Sequence, residues 1–146
     1  MIRHRRPAAF ALAVVIPAAL VLSGCSVVDE LVYQQRSEEF ATTIDFTTDW
    51  AGSAPWVPED ASDIRIREST SGDVVAILLT SGTELDPGLC GEVERQSGPS
   101  FTIDGAPDAY RATGAWACGE WTVIAADDGW YGWTPNDPDE QAASPS

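Results

Sequence analysis

Carboxylates and tryptophans are the residues of this sequence that could do chemistry, because most of the usual catalytic residue types are missing. The chain has 23 aspartates and glutamates, eight arginines and a single histidine, His4. Beyond residue 24 it contains neither histidine nor lysine. Serine–histidine triads, cysteine–histidine pairs and lysine Schiff bases all need one of these two residues. The sequence therefore predicts no metal site, no cofactor and no enzyme of these classes.

Paired carboxylates remain available for acid–base catalysis. A glycosidase needs two of them beside the sugar bond that it cleaves, but no pair in this sequence stands out. Asp127-Asp128 is best explained as a hairpin turn. The segment 136–140 is rich in oxygen ligands, yet it lacks the glycine and the bidentate acid of a calcium loop. A small carboxylate-dependent hydrolase of cell-wall glycan is therefore the alternative hypothesis, and no residue is predicted to be catalytic.

The first 25 residues have the three parts of an export signal. Three arginines precede an apolar run over residues 8–22, and Leu22-Ser23-Gly24 then leads into Cys25. A positive flank, a short apolar run and small residues before a cut are typical of a secretory signal, and the run is shorter than the ~20 apolar residues of a spanning helix. Leu22–Cys25 resembles the lipobox of bacterial lipoproteins. The resemblance implies cleavage between Gly24 and Cys25, a lipid such as palmitate-bearing diacylglycerol on the Cys25 thiol, and a place on the outer face of the cytoplasmic membrane.

Cys90 and Cys118 are the cysteines that remain once Cys25 carries lipid. Two cysteines in an exported chain predict a disulfide, which stabilises a fold of this kind by roughly 3–4 kcal/mol. Two free thiols are one alternative. A metal site is another, but no histidine is present to complete it.

The charge of the chain excludes one class of partner. The formal net charge is −15, and residues 25–146 keep all the carboxylates but only five arginines. Such a surface repels nucleic acid and anionic lipid headgroups. Contact with the membrane is therefore expected to depend on the lipid, and any further partner is expected to be an envelope protein or a glycan.

Residues 49–135 are predicted to form a small domain around an antiparallel sheet. The alternation of isoleucine and charged residues over 63–67 predicts a half-buried strand, and the apolar run 74–79 predicts a central one. Asp86-Pro87 is typical of a helix N-cap followed by proline at the first helical position. It predicts a short helix over 88–95 that carries the first disulfide cysteine.

Four further strands complete the predicted domain. They cover residues 101–103, 112–117, 121–125 and 130–134. Asp128-Gly129 predicts the two-residue turn of the last hairpin. The fold class is therefore α+β, a small antiparallel sheet with one or two short helices and one disulfide, with an all-β sandwich or barrel as the alternative. Residues 25–48 are predicted to be a membrane-proximal helix or tether, and 136–146 a disordered acidic tail.

The six tryptophans all lie between residues 50 and 133. Aromatic faces stack on sugar rings and anchor protein interfaces. In the predicted hairpin, Trp133 shares one face with Ile124, whereas Trp121 and Trp130 share the other with Val123. Trp121, Trp130 and Trp133 are therefore the candidate binding surface. The alternative is that both faces are covered and these residues belong to the core.

Several motifs together resemble a family of uncharacterised actinobacterial lipoproteins. They are Trp56-Val57-Pro58-Glu59-Asp60-Ala61-Ser62-Asp63-Ile64, Cys90, Cys118-Gly119-Glu120-Trp121 and Trp130-Tyr131-Gly132-Trp133-Thr134-Pro135. The resemblance covers most of residues 25–146 and implies a location but no activity. The sequence thus favours a lipid-anchored, non-enzymatic binding or envelope-associated module.

Overall fold

The computed structural model describes residues 34–145, which contain a seven-stranded antiparallel sheet and short helices. The strands are β1 (Gln35–Thr42), β2 (Ser62–Ser69), β3 (Val75–Thr80), β4 (Gly91–Glu94), β5 (Gly114–Cys118), β6 (Trp121–Ala126) and β7 (Gly129–Thr134). The helices are α1 (Thr43–Asp49), α2 (Pro138–Ala142) and a 3₁₀ turn (Ala109–Arg111). The strand order is β1-β2-β3-β7-β6-β5-β4. The predicted class is confirmed in its coarse form, although the large share of strand brings the fold close to the all-β alternative.

The sequence pattern of the inner strands follows their place in the sheet. Residues 76–79 of β3 are all buried, because this strand is covered on both faces. In β2, Ile64 and Ile66 are buried, whereas Arg65 and Arg67 are half-buried on the opposite face. The strands predicted from these two patterns are both confirmed.

Two layers cover the sheet, one on each face. The face that we call the helix face packs against α1 and the segment 50–61. The opposite face, which we call the crossover face, packs against the connection 95–113 between β4 and β5. Because both faces are covered, residues 121–124 at the start of β6 are buried at four successive positions.

Two arginines fasten the connection 95–113 to the crossover face. Arg65 donates a hydrogen bond to the carbonyl oxygen of Asp104 at 2.6 Å, and Arg67 donates to that of Thr102 at 3.3 Å. Both arginines project from β2 toward the connection. These bonds give donors to two carbonyl groups of a long loop that would otherwise be unpaired.

Tyr131 makes a third bond to the same connection. Its hydroxyl donates to the carbonyl oxygen of Phe101 at 2.8 Å, and burial, followed by the nearby Tyr110, raises the pKa of Tyr131 to about 12. The phenol therefore stays protonated and remains a donor. Residues 101–103 lie across the face of the sheet, with Phe101 and Ile103 packed on it. The predicted strand over 101–103 is wrong, because its apolar residues cover the sheet instead of joining it.

The sheet begins earlier in the chain than predicted. Residues 35–42 form the edge strand β1, which pairs with β2 along its length. Phe40 of β1 then packs edge-to-face on Phe46 of α1, with 5.8 Å between the ring centroids. The prediction of a tether or helix is wrong for 35–42, because the strand depends on a partner that is distant in the sequence. Residues 25–33 of the predicted tether lie outside the described residues.

The predicted helix over 88–95 is a single turn followed by a strand. Asp86 accepts a hydrogen bond from the Gly88 amide at 2.8 Å with its side chain, and one from the Cys90 amide at 2.9 Å with its carbonyl oxygen. The chain then enters β4 and pairs with β5. Cys90 is bonded to Cys118, which confirms the disulfide but places it between the residue that precedes β4 and the end of β5, rather than between a helix and the sheet.

The last hairpin turns one residue earlier than Asp128-Gly129. Ala126 pairs with Gly129, so the two turn residues are Asp127 and Asp128. The interpretation of these two aspartates as a turn is confirmed, whereas the turn at Asp128-Gly129 is wrong. A Cβ atom on Gly129 would lie 2.3 Å from the carbonyl oxygen of Leu79. The close approach of β3, not the turn, requires glycine at this position.

The segment that follows β7 is ordered by its own caps and by contacts with the sheet. Asp137 and Glu140 form a reciprocal capping box at the start of α2. Asn136 donates a side-chain hydrogen bond to the carbonyl oxygen of Gly119 at 2.9 Å. The predicted disorder is wrong for residues 136–145, because one of the acids that suggested a solvated tail is fully buried.

Candidate functional site

The three candidate tryptophans do not form one surface. Trp121 lies on the helix face, is 2 % exposed and donates to the carbonyl oxygen of Ser53 at 3.2 Å. Trp133 lies on the crossover face and is 1 % exposed. The predicted binding surface is therefore wrong for these two residues, which are core. Trp130 is half-buried and keeps part of its ring at the surface.

Strand alternation explains this division. Residues 130 and 133 are separated by an odd number of positions and so point to opposite faces of the sheet. Trp133 packs with Ile124 in the core of the crossover face, and Trp130 packs against the cluster that contains Trp121 and Val123 on the helix face. The predicted face assignment of these residues is confirmed.

Trp130 forms an aromatic pair with Trp116 at one end of the helix face. The ring centroids are 5.2 Å apart and the planes meet at 82°, an edge-to-face arrangement. The indole nitrogen of Trp130 donates to the carbonyl oxygen of Thr83 at 2.9 Å, so the ring is fixed in place. Both tryptophans are half-buried. Such a rigid pair offers contact area without a large loss of side-chain entropy.

Two adjoining clefts lie beside these tryptophans and share Ala125 in their linings. Trp116 and Gly114 line one of about 700 Å³, and Trp130 lines one of about 500 Å³. A Cβ atom on Gly114 would meet nothing within 4 Å. Glycine and alanine thus leave open space next to two rings, and we call this surface (Gly114, Trp116, Ala125 and Trp130) the aromatic cleft.

Acidic side chains surround the aromatic cleft. Glu92 and Glu94 line the larger cavity, and the smaller one is lined by Glu84, Asp127 and Asp128. All five are exposed. The cleft therefore combines aromatic rings with a negative rim.

Each of the five arginines of residues 34–145 has a partner other than the five acids of the rim. Arg111 lines the larger cavity, but its guanidinium is paired with Asp108 at 3.2 Å. Arg95 bonds the carbonyl oxygens of Ser97 and Ala112. The remaining three are bonded as follows: Arg36 to Glu38 and Glu68, Arg65 to Asp104, and Arg67 to Thr102. The negative charge of the rim is therefore left for solvent or for a partner.

A hydrogen-bonded brace holds the loop that carries the acceptor for Trp130. Asp60 accepts from the Ser81 hydroxyl at 2.6 Å and from the Gly82 amide at 3.1 Å. The Ser81 hydroxyl oxygen accepts in turn from the Thr83 amide at 3.1 Å. The bond from Ser81, which outweighs partial desolvation, lowers the pKa of Asp60. This brace positions the carbonyl group of Thr83 against the Trp130 indole.

Glu140 forms a second polar centre on the other side of the sheet. Its carboxylate is fully buried and accepts hydrogen bonds from the Gln96 amide at 2.6 Å, the Ser97 hydroxyl at 2.5 Å and the Thr122 hydroxyl at 2.7 Å. The Asp137 amide donates another at 2.9 Å. Burial alone would raise the pKa of Glu140, but the bonds from Ser97, Gln96, Asp137 and Thr122 outweigh it and lower the pKa to about 2. The carboxylate is thus ionised and saturated with protein donors, which suits a structural clamp and not a general acid.

The Glu140 clamp, which consists of Glu140 and its hydrogen-bond donors, extends into the core through Ser97. The Ser97 hydroxyl oxygen accepts a hydrogen bond from the Trp133 indole nitrogen at 3.0 Å. Trp133 is therefore connected to Glu140 through one shared residue. The network joins β7, the connection 95–113 and α2, and it explains why Trp133 is core.

A smaller cleft of about 250 Å³ lies at the opposite end of the helix face, near the disulfide. Trp56 and Trp121 line it, but their exposed fractions are only 3 % and 2 %. A ligand there would touch little of either ring. The aromatic cleft is the better candidate site because its rings are accessible.

No family model, no curated protein and no solved structure matches this chain. The resemblance to actinobacterial lipoproteins stays a prediction. Within the described range 34–145, no helix is long and apolar enough to cross a membrane and no group of acids or cysteines could hold a metal ion. Gly24 and Cys25 lie before that range. The candidate site is therefore argued from the residues of this chain alone.

The sequence indicated Trp130 but not the residues that make its surroundings a cleft. Trp116 falls within the predicted strand over 112–117, which is not part of the predicted hairpin. Glu92 and Glu94 alternate with Val93, which is a strand pattern, but the helix signal of Asp86-Pro87 obscured it. That alternation is the signal that could have placed two of the rim carboxylates.

Proposed function

We propose that this protein is a lipid-anchored extracytoplasmic module that binds an envelope partner through the aromatic cleft and catalyses no reaction. The anchoring part rests on the sequence of the first 25 residues, in which a positive flank, a short apolar run and the Leu22–Cys25 motif agree. Lipid on Cys25 would hold a strongly acidic protein at a membrane whose headgroups repel it. The outer face of the cytoplasmic membrane is the corresponding location.

The contrast among the tryptophans is the observation that supports the binding part. Trp50, Trp56, Trp121 and Trp133 are between 1 % and 7 % exposed. Trp116 and Trp130 alone among the six are half-buried, and they lie next to each other. Because the other four tryptophans are buried, a partly exposed pair of tryptophan rings favours contact with a glycan or a protein.

The direction of the strands separates the cleft from the point at which the tether enters the sheet. β1 starts at Gln35, which pairs with Ser69, whereas Thr80 pairs with Gly129 at the other end of the sheet. The cleft lies at that second end, roughly 25 Å from the first for a strand of eight residues. Nine residues from Cys25 to Gln34 span at most about 30 Å. A chain anchored at Cys25 would therefore enter the domain at the end of the sheet opposite the cleft, which leaves the cleft clear of the attachment point.

The pKa shifts argue against two carboxyl groups as the general acid of a hydrolase. A glycosidase needs a carboxylic acid whose pKa is raised, so that it can donate a proton. The pKa values of Asp60 and Glu140 depart clearly from the ordinary value, and both are lowered. Both are committed to hydrogen bonds within the fold. The hydrolase alternative thus has no specific observation in its favour.

The anchoring proposal is tested with Cys25→Ala in cells grown with a fatty-acid probe. We expect the wild type to be labelled and cut before residue 25, and the variant to accumulate as unlabelled precursor. Ser26→Ala is the matched control and should be processed normally. A Cys25→Ala variant that is still labelled and cut at the same place would contradict the lipid site.

The binding proposal is tested by photo-crosslinking in living cells. A photoreactive phenylalanine analogue at Ala125 places the probe on the floor of the aromatic cleft. The control position is Gly72, at the opposite end of the sheet, where a Cβ atom would meet nothing within 4 Å. We expect discrete crosslinked species from Ala125 and not from Gly72. Equal or absent crosslinking at the two positions would contradict a contact role for the cleft.

A further inference from the structure

The strand β4 is an open edge of the sheet that borders the aromatic cleft. It is last in the strand order, and it pairs only with β5 among the strands of residues 34–145. An edge strand presents unpaired backbone N–H and C=O groups that can accept another strand. A Cβ atom on Gly91 would lie 3.0 Å from the carbonyl oxygen of Ala143, so the tail covers the start of β4. The accessible part of the edge therefore begins at Glu92.

Glu92 and Glu94 give this edge a single sign of charge on the helix face. Glu92 is directly opposite Trp116, and Glu94 is directly opposite Gly114. Both glutamates are exposed, and both line the larger cavity of the aromatic cleft. A strand added beside β4 would place every second side chain next to these carboxylates.

The other edge of the sheet differs in charge. On β1, Arg36 is paired with Glu38 at 2.7 Å and also with Glu68 of the neighbouring strand. Charges of both signs thus occur along that edge, where Arg36 is accompanied by Glu38 and Glu39. β4 contains two glutamates and no cation, so the two edges would select different occupants.

A second copy of this chain is a poor occupant of the β4 edge. Antiparallel pairing of two β4 strands would bring Glu92 and Glu94 next to the same residues of the other copy. Like charges that lie directly opposite across strands are destabilising. A basic segment would instead be attracted by both carboxylates, and its cations could reach the Trp116 ring.

We propose that an extended segment of a partner protein, with arginine or lysine at alternate positions, adds to β4 as an eighth strand. This inference rests on the proposed function and names its partner class. The backbone of the segment pairs with the open edge from Glu92 onward. Its cationic side chains lie beside Glu92 and Glu94 and contact the ring of Trp116.

The test is titration of synthetic eight-residue peptides into the full mature protein, purified in detergent, with tryptophan fluorescence as the readout. One peptide alternates arginine with valine and threonine, and a second replaces each arginine by neutral citrulline. A third peptide keeps the arginines but carries N-methyl groups on alternate backbone amides. It is made in two forms, one for each edge of the extended peptide, so that each form blocks strand pairing along one edge. We expect binding of the arginine peptide, at least fivefold weaker binding of the citrulline peptide, and loss of binding for one N-methylated form.

The protein side of the test uses a double substitution, Glu92→Gln with Glu94→Gln. We expect the arginine peptide to bind this variant about fivefold to tenfold more weakly. The matched control, Glu39→Gln with Asp73→Asn, removes two exposed charges, one on the opposite edge strand β1 and one in the turn between β2 and β3, and should bind as the wild type does. Equal affinity of the two variants, or tolerance of N-methylation on both edges, would overturn the proposal.

The same titration separates this inference from the proposed function. A neutral cell-wall glycan fragment is the second ligand in the series. Binding of the glycan in a manner that depends on Trp130, without binding of the arginine peptide, would overturn the basic segment and leave the proposed function intact. Failure of both ligands together with failure of the Ala125 crosslink would overturn both.

Discussion

The two ends of the sheet are built in opposite ways. The closed end, which comprises the Cys90–Cys118 disulfide, the turn at Gly119 and the segment 136–145, pairs its polar groups internally. The open end, which comprises the hairpin at 126–129 and the aromatic cleft, leaves two rings and five carboxylates at the surface. A small domain needs one well-tied region for stability. Because the closed end stabilises the fold, the open end can keep residues at the surface for contact with a partner.

Two tryptophans of the same strand represent this difference. Trp133 is buried and donates to Ser97 in the Glu140 network, whereas Trp130 is half-buried beside the cleft. Truncation of a buried tryptophan leaves a large cavity. We expect Trp133→Ala to lower the free energy of unfolding by about 3–5 kcal/mol, measured by urea denaturation. A loss below about 1 kcal/mol would contradict its assignment to the core.

The disulfide at the closed end should have the next largest effect. We expect Cys90→Ala with Cys118→Ala to lower the free energy of unfolding by roughly 3–4 kcal/mol, because the bridge restricts the unfolded chain. Intact mass before and after reduction, with alkylation, checks that the wild type contains the bond. Free thiols in freshly purified, unreduced protein would contradict the bridge.

The contribution of the Glu140 clamp to the free energy of unfolding should depend on pH. The folded pKa of Glu140 is about 2, below the ordinary value of 4.5. The stabilisation is therefore fully present above pH 4.5 and is lost as the pH falls toward 2, because protonation then costs the folded state its ionised acceptor. We expect the difference in unfolding free energy between the wild type and Glu140→Gln to shrink by up to about 3 kcal/mol across this window.

The measurement is urea unfolding of the wild type and Glu140→Gln at pH 6 and again near pH 2.5. Asp139→Asn is the matched control, since this neighbouring acid on α2 is exposed. The control should show no comparable change with pH. A difference between wild type and Glu140→Gln that is independent of pH would show that the clamp does not stabilise through its ionised form.

The smallest stability effect belongs to the open end. We expect Trp130→Ala to lower the free energy of unfolding by about 1 kcal/mol, mainly through loss of the edge-to-face contact with Trp116. Thermal melting of Trp130→Ala beside Trp133→Ala provides the comparison. A loss as large as that of Trp133→Ala would remove the distinction between the two ends.

Local signals in the sequence predicted the inner strands, the disulfide and the faces of the last hairpin. Alternation in β2 and the apolar run of β3 are properties of the segments themselves. The edge strand β1 is different, because its place depends on pairing with β2, which begins 20 residues after β1 ends. The cleft likewise depends on β4 meeting β5 across the long connection. Such contacts are set by topology and leave little trace in either segment.

Two Asp-Pro pairs show where local reasoning succeeds and fails. Asp86-Pro87 predicted a helix, but the chain makes one turn and enters β4. Asp137-Pro138 begins α2, although the segment was predicted to be disordered. The sequence itself distinguishes the two pairs, because only Asp137 is followed three residues later by a glutamate that completes a capping box. The burial of that glutamate, by contrast, depends on Ser97 and Thr122, and no spacing indicates it.

The most direct test of a contact role for the open end is the yield of crosslinked product from a probe at Ala125 in the Trp130→Ala background. If the aromatic cleft binds a partner, the yield falls to that of the Gly72 control while the protein stays folded, with a loss of only about 1 kcal/mol. The Trp116→Ala variant should behave in the same way. An unchanged yield from Ala125 in a folded Trp130→Ala protein would contradict the assignment of the cleft as the contact surface.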